Sequence, residues 1–281
     1  MRSRTVLTAV AATALTAVLA ACGGGSGGSG GSGDSELAAV KSAGTLKVGT
    51  EGTYSPFSFH DPSSNALTGY DVDVAKAVAD KLGVKVEYVE TPFDAIFAGL
   101  SAKRFDVVVN QVTKNPQREG LYGLSTTYTY SEGVVATRAD DSSITSLAGL
   151  SGKKSAQSLT SNWAQVAKDA GAQVESVEGF TQAVTLLKQK RVDATVNDNL
   201  VILDYQKSTG DTSVKIAAST GDVSQQVIAT RKGSDLVGAV DTALADLKKD
   251  GTLKSISEKY FKEDVSVAPS GAGTPATSAT S

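Results

Sequence analysis

The feature that most constrains the fold of this chain is a strand–helix alternation that occurs twice. In its first occurrence, apolar strand patterns at 46–49, 84–91 and 105–110 alternate with helical patterns at 70–82 and 93–102. The first helical pattern places apolar residues four apart and ends before a glycine, as helices commonly do. A β-α-β-α-β order is typical of a parallel sheet covered by helices on both faces. The first half of the chain therefore predicts one α/β lobe.

The second occurrence predicts a second lobe of the same kind. Strand and helix patterns alternate over 154–157, 162–170, 173–177, 181–190, 193–197 and 200–207. The segment 127–137 leads into this lobe, and a strand pattern at 225–230 leads out of it to closing helices at 234–250 and 253–260. We expect these helices to pack on the first lobe. Two α/β lobes joined by two crossovers form a hinge with a ligand cleft, because small molecules bind at the carboxyl ends of such strands.

The two ends of the chain predict export and anchoring. Arg2 and Arg4 precede an uncharged run over 5–21, which is typical of a signal peptide, with a transmembrane helix as the alternative. The following Leu-Ala-Ala-Cys ending at Cys22 resembles the bacterial lipobox, in which the cysteine receives a diacylglyceryl group. Acylation with two or more chains anchors a protein stably. We therefore expect the protein at the outer face of the plasma membrane.

These patterns divide the chain into six parts. The run over 23–33 contains only Gly and Ser and predicts a flexible tether, and the small, polar residues after 264 predict a disordered tail. The predicted parts are a signal peptide (1–21), the lipidated Cys22 with its tether (22–43), the first part of lobe 1 (44–131), lobe 2 (132–226), the return of lobe 1 (227–264) and the tail (265–281).

Composition argues against several classes of partner. The net charge of −3 arises from 27 basic and 30 acidic residues without a basic block, so nucleic acid is not an expected partner. One Cys and one His leave no internal disulfide and no multi-histidine metal site. We expect no metal and no cofactor, and nothing in the sequence predicts an oligomer, so a monomer is the default.

Five stretches of the sequence stand in a fixed order: LKVGTEGTYSPFSF (46–59), LTGYDVDVAKAVADKLG (67–83), TPFDAIFAGLSAKRFDVVVNQVTKNPQR (91–118), KRVDATVND (190–198) and DGTLKSISEKYF (250–261). Together they resemble the type II solute-binding proteins of ABC importers for polar amino acids. The stretch over 158–198 is most similar to the cystine-binding lipoproteins of Gram-positive bacteria.

The resemblance implies a two-lobed periplasmic-binding-protein-like fold of type II and an amino acid receptor that delivers its ligand to an ABC permease. Cystine is the implied ligand, with glutamine or another polar amino acid as the alternative. A dehydratase-type enzyme and a sensor domain are further alternatives. Acid/base chemistry in the cleft would rest on Glu51 and Asp198 alone, so we expect a receptor rather than an enzyme.

Three candidate residues follow the strand at 105–110. There Gln111 and Thr113 offer turning backbone amides, and Arg118 offers a bidentate fork for an α-carboxylate. A solvated loop arginine is the alternative, but the family's spacing from Thr to Arg is matched by Thr113 and Arg118. Asp198 ends the strand at 193–197, where it can accept the ligand ammonium or cap the next helix, two compatible roles.

A second group of candidates surrounds the start of the helix at 162–170. Hydroxyl groups and free amides at Thr160, Ser161 and Asn162 suit an anion, with ordinary helix capping as the alternative. The resemblance places aromatic rings around the ligand at Tyr54 and Phe93, an acid near the ligand side chain at Glu51, and a neutral amide at Gln157 where some relatives carry Lys. Core packing is the alternative for the two rings. Trp163 lines the pocket or covers the lobe surface, and His60 is predicted to be an exposed loop residue.

Overall fold

Residues 35–269 are described in the computed structural model of the protein. The predicted signal peptide, Cys22, the Gly/Ser tether and residues 270–281 lie outside the described residues. Within 35–269, none of the helices has the length and apolarity needed to cross a membrane.

Lobe 1 contains the parallel unit that the sequence predicts. Its strands β1 (Thr45–Thr50), β5 (Lys85–Glu90) and β6 (Val107–Thr113) pair in parallel, with β1 in the middle. Helices α2 (Tyr70–Leu82) and α3 (Phe93–Ser101) connect them. Gly83 takes a left-handed φ of 73° and ends α2, as predicted. A small antiparallel sheet of β2 (Thr53–Tyr54), β3 (Ser58–His60) and β4 (Leu67–Thr68) follows β1 and is too short to be read from periodicity.

Lobe 2 repeats this arrangement. Strands β9 (Lys154–Gln157), β10 (Gln173–Ser176) and β11 (Ala194–Asp198) are parallel, with β9 in the middle. The helices are α5 (Asn162–Asp169), α6 (Phe180–Lys188) and α7 (Asn199–Thr209), and a short 3₁₀ helix spans Leu147–Leu150. Each strand and α-helix of this unit agrees with its predicted position to within a few residues.

Two long antiparallel strands connect the lobes. Strand β8 (Thr129–Arg138) pairs with both β11 and β12 (Val214–Arg231), and β12 continues into lobe 1, where it pairs with β6 and β7 (Tyr122–Leu124). The sheet order β10-β9-β11-β8-β12-β6-β1-β5 thus runs through both lobes. The two crossovers and the cleft between the lobes confirm the predicted two-lobed α/β class. The predicted limits of lobe 2 at 132 and 226 stay a prediction.

The remaining helices belong to lobe 1. They are α1 (Glu36–Ala43), α4 (Pro116–Leu121), α8 (Leu236–Lys249) and α9 (Thr252–Phe261). The closing helices α8 and α9 contact α2, as the sequence predicts.

Some residues that the sequence assigns to the tether and to the tail belong to the folded lobe. Residues assigned to the tether form α1, because Ser35 caps it and Glu36 pairs with Arg231 at the end of β12. Residues assigned to the tail begin with the buried Val265, whose carbonyl accepts the amide of Tyr130 at 2.8 Å. Both differences depend on contacts with distant residues, which local composition does not encode.

The core of lobe 1 holds one aromatic ring between two glycines. Phe105 is fully buried, and a Cβ added at Gly49 in β1 or at Gly99 in α3 would lie 2.4 Å or 2.7 Å from its ring. The ring cannot retreat from one glycine without approaching the other. The close packing of α3 on the sheet therefore requires glycine at 99.

We expect Gly99→Ala to lower the free energy of unfolding by about 1–3 kcal/mol, the usual cost of overpacking a core. Alanine has a higher helix propensity than glycine, by about 1 kcal/mol. Helix propensity alone would therefore predict a more stable protein, whereas we expect a less stable one. The matched control is Gly238→Ala in α8, where nothing lies within 4 Å of an added Cβ. This control should raise stability by up to about 1 kcal/mol. Urea unfolding of both variants checks the prediction, and a stabilised Gly99→Ala would contradict it.

Candidate ligand-binding site

A cavity between the two lobes holds most of the predicted site residues. The space between its lining residues, its open mouth included, is about 520 Å³. The predicted residues that line it are Glu51, Tyr54, Phe93, Gln111, Gln157, Ser161, Asn162 and Asp198. Thr113, Arg118 and Thr160 do not line this cavity. Arg118 and Thr160 line an adjoining cleft, which shares Ser161 and Asn162 with the cavity.

Asp198 ends β11 and is 1% exposed. Its carboxylate accepts hydrogen bonds from the Ser131 hydroxyl and from Gln226 Nε2 at 3.1 Å, and it lies 3.4 Å from the Tyr54 hydroxyl, whose proton it shares with Asn197. Burial raises its pKa to about 6, although hydrogen bonds from Ser131, Trp163 and Tyr54 oppose the shift. The residue stands at the N-cap position of α7, but its side chain makes no capping bond. The residue therefore lines the cavity without capping the helix.

Glu51 is the second buried carboxylate of the cavity. Asn110 binds it twice: its Nδ2 donates to Glu51 Oε2 at 2.7 Å, and its Oδ1 accepts the Glu51 amide at 2.7 Å. Burial raises the pKa of Glu51 to about 7, against the hydrogen bonds from Asn110 and from the Phe93 amide. Sequence reasoning missed Asn110, although its place at the carboxyl end of a predicted strand was a usable signal.

The cavity lining carries negative charge without a positive counterpart. No Lys, Arg or His is among its lining residues, and within 35–269 neither Glu51 nor Asp198 forms a salt bridge. A buried carboxylate without a cation is costly. Two cationic groups on a ligand would remove that cost.

Two helices begin at the cavity wall. The first amides of a helix have no partner inside it and carry a partial positive charge. At the start of α5, the Ser161 hydroxyl accepts the Ala164 amide, so the amides of Asn162 and Trp163 are the ones left for a ligand. At the start of α6, Gly179 provides no side-chain cap, and Gly179 and Phe180 line the cavity. The cavity thus has two places suited to a carboxylate.

Two predicted amide donors are used by the protein itself. Strand β6 continues through Gln111 to Thr113 instead of ending at Asn110, and Gln111 takes a left-handed φ of 47°. Its amide donates to Asp71 Oδ2 at 2.8 Å, so the expectation of a free turning amide at Gln111 was wrong. The amide of Thr160 is also taken, because it donates to Asp94.

Two of the predicted site residues each carry a buried side-chain atom without a partner among the described residues. Within 35–269, Gln111 Oε1 and Thr113 Oγ1 have no hydrogen bond. Buried polar atoms normally have a hydrogen-bond partner, so these two atoms remain available to one.

Arg118 lies buried beside the cavity rather than in solvent. It is 5% exposed, and its guanidinium contacts the rings of Phe93 and Phe97 with centroid distances of 5.7 Å and 5.2 Å. Its Nη1 donates to the Thr113 carbonyl at 2.7 Å. Burial lowers its pKa to about 10, so the side chain stays protonated at neutral pH. A buried cation without a carboxylate partner among the described residues is poised to bind an anion.

Aromatic rings form the apolar part of the wall. Tyr54, Phe93, Trp163 and Phe180 line the cavity. The Trp163 ring lies over Gly133 of β8, where an added Cβ would be 2.6 Å from it, so Trp163 contacts the hinge strand as well as the cavity. His60 does not line the cavity and bonds to the Asn65 carbonyl and to Glu90.

The raised pKa values predict how stability depends on pH. Folded Glu51 and Asp198 hold protons up to about pH 7 and 6, whereas the unfolded carboxyl groups lose theirs near pH 4. In this window the folded state binds more protons, so the ligand-free protein should become more stable as the pH falls from about 7.5 to about 5.5.

Melting temperatures at these two pH values check the prediction. His60, whose pKa is raised by its hydrogen bonds to the Asn65 carbonyl and Glu90, acts in the same direction. The comparison is therefore made in a His60→Gln background, where Asp198→Asn should reduce the pH dependence. A melting temperature that is lower at pH 5.5 than at pH 7.5 would refute the prediction.

Hydrogen bonds across the cleft show that the lobes are closed on each other. The Tyr54 hydroxyl of lobe 1 donates to Asn197 Oδ1 of lobe 2 at 2.8 Å. Ser55 donates to Asp204 at 2.9 Å. Such bonds form only when the two walls of the cleft approach.

Comparisons with known proteins agree with the fold. Residues 46–263 match the model for bacterial extracellular solute-binding proteins, family 3. The L-cystine-binding protein TcyA of Bacillus subtilis (strain 168) is 52% identical over 82% of this chain and 85% of its own length.

Two solved structures bear on the closed arrangement. The L-cystine solute receptor of Neisseria gonorrhoeae, in its unliganded open conformation, is 46% identical with a TM-score of 0.56, covering 83% of this chain and 99% of its own. An ancestral arginine-binding protein bound to arginine is 41% identical, yet its TM-score is 0.73, with coverage of 78% and 98%. The better fit to a ligand-bound structure at lower identity is consistent with closed lobes. The family match and these identities confirm the resemblance seen in the sequence: the chain belongs to family 3 of the bacterial extracellular solute-binding proteins.

Proposed function

We propose that this protein captures L-cystine outside the cytoplasm by lobe closure and delivers it to the permease of an ABC importer. The observation that carries the proposal is the set of charges around one cavity. Among the described residues, Glu51 and Asp198 lack a cation, α5 and α6 begin at the wall, and Arg118 lies beside it.

Cystine is the common amino acid whose charges match this set. It has two ammonium groups, for Asp198 and Glu51, and two carboxylates, for the α5 side with Arg118 and for the α6 side. Its disulfide would lie among Tyr54, Phe93, Trp163 and Phe180, because sulfur makes favourable contacts with aromatic rings. The cystine-binding relatives support the same ligand.

The rest of the proposal follows from the sequence. Lipidation of Cys22 would hold the receptor at the outer face of the membrane, and the Gly/Ser run would let it reach the permease as a monomer. No bond chemistry is required, because closure needs only better ligand binding in the closed state than in the open one.

Other amino acids fit the charges less completely. Arginine supplies two cations but one carboxylate, and would leave the α6 start without an anion. Glutamine supplies one cation and would leave Glu51 unpaired. A dehydratase-type enzyme on this fold is a weaker alternative, which recovery of unchanged ligand after incubation would exclude.

Calorimetry and thermal shift on a soluble form spanning residues 23–281 test the proposal. The panel is cystine, cysteine, glutamine, glutamate, arginine and histidine. A ligand at 100 times its Kd adds about 2.7 kcal/mol of stability, which is easily detected. We expect a selective shift with cystine. A larger shift with another amino acid would overturn the cystine assignment and keep the receptor, and no shift with any would overturn both.

A further inference from the structure

The loop before α5 is held by a residue that does not line the ligand cavity. Asp94 lies in the first turn of α3 in lobe 1, and the loop Leu159–Thr160 belongs to lobe 2. Asp94 Oδ1 accepts the Thr160 amide at 2.9 Å and the Thr160 hydroxyl at 2.8 Å. Asp94 Oδ2 accepts the Leu159 amide at 3.2 Å. One carboxylate thus receives three hydrogen bonds from the opposite lobe.

A second lobe 1 residue binds the same loop from its other side. The Thr160 carbonyl accepts a hydrogen bond from Arg118 Nη2 at 3.4 Å. All the polar groups of Thr160 therefore bond to lobe 1. The next residues, Ser161 and Asn162, line the cavity and begin α5. Holding Thr160 fixes the part of lobe 2 that faces the ligand.

We propose that Asp94 is a positioning residue for ligand capture, which latches the Leu159–Thr160 loop in the closed state and slows ligand release without touching the ligand. The proposal rests on the proposed function only in so far as the protein binds an amino acid by closure. It does not depend on which amino acid is bound.

The physical reason is a difference between two states. In an open arrangement, the two walls separate, and Asp94 and the loop amides bond to water instead. The three bonds then favour the closed state alone, and a contact present in one state only shifts the equilibrium toward it. Loss of the latch should therefore speed reopening and leave the encounter with the ligand unchanged.

Stopped-flow fluorescence of Trp163 provides the readout, because it is the only Trp and lines the cavity. In the form spanning residues 23–281, with whichever panel amino acid binds best, Asp94→Ala should raise the dissociation rate about tenfold or more, about 1.4 kcal/mol. The association rate should stay within about twofold of the wild type. The dissociation rate should rise by the same factor for every amino acid that binds, because Asp94 does not line the cavity.

Two further variants distinguish loss of the latch from a general effect of removing a carboxylate from lobe 1. Asp73 also lies in the first turn of a lobe 1 helix, but its partners Lys259 and Tyr260 belong to the same lobe. Asp73→Ala should leave the dissociation rate unchanged. Thr160→Val removes one latch donor, so it should speed dissociation in the wild type but add nothing to Asp94→Ala.

The possible outcomes separate a failure of the latch proposal from a failure of the proposed function. Ligand binding by the wild type with an unchanged dissociation rate in Asp94→Ala would overturn the latch alone. A slower association with unchanged dissociation would also overturn it, since that result indicates a damaged site. A wild type that binds no panel amino acid would overturn the proposed function and the latch with it.

Discussion

Replacing Asp198 by Asn should weaken amino acid binding by about 2–5 kcal/mol, or roughly 30- to 4,000-fold in Kd. The carboxylate is buried, lines the cavity and has no salt-bridge partner within 35–269, so a ligand ammonium would be its only close cation. Asn keeps the shape of the side chain and an oxygen for Ser131 and Gln226, but it removes the charge. Calorimetry with the amino acid that the panel identifies measures the loss.

The same variant should leave the ligand-free protein at least as stable as the wild type. Burial raises the pKa of Asp198, so its ionised form destabilises the empty closed cavity at neutral pH. Weakened binding together with an undiminished melting temperature would separate a binding role from a structural one. Full affinity in Asp198→Asn would show that the ammonium binds elsewhere.

Replacing Arg118 by Ala should also weaken binding by about 2–5 kcal/mol, because a ligand carboxylate in the closed cleft would lose its buried cation. Arg118 lies against Phe93 and Phe97 and next to Thr160, which places its charge at the junction of the two lobes. Arg118→Lys should restore only part of the affinity, because an ammonium lacks the planar fork that binds a carboxylate bidentately.

Cystamine, which is cystine without its two carboxylates, provides the matched control for the Arg118 variants. It keeps both ammonium groups and the disulfide, so the wild type should bind it more weakly than cystine. Arg118→Ala should lose much more affinity for cystine than for cystamine, because only cystine offers a carboxylate to the guanidinium. Equal losses for the two compounds would show that Arg118 supports the fold of the cleft rather than binding a carboxylate.

The sequence predicted the lobes well because their elements follow local rules. Helix α2 has a regular apolar spacing and a terminal glycine, and the structure gives it the predicted bounds of Tyr70–Leu82. Strand β12 is different: only 225–230 was predicted, yet it runs from Val214 to Arg231. The residues of its first half are nearly all exposed or half-buried, so this half lacks the apolar run that marks a buried strand. Pairing with β8 makes it a strand.

The candidate site shows the same division between local and distant causes. Asp198 was readable from the sequence, since its chemistry and its position at the end of a strand are local properties. The resemblance supplied Glu51 and favoured Arg118 through the matched spacing from Thr113. Their surroundings were not readable. Asp71 takes the Gln111 amide across 40 residues, and Asp94 takes the Thr160 amide across 66.

By itself, the sequence determined the order of strands and helices, the two-lobed class and the charged groups available to a ligand. Periodicity, terminal glycines and residue chemistry act over a few neighbouring positions, so a linear reading recovers them. The tertiary structure decided which donors are free, which carboxylates lack a cation and which residues hold the lobes together. Hydrogen bonding and desolvation act between atoms that meet only when the chain folds.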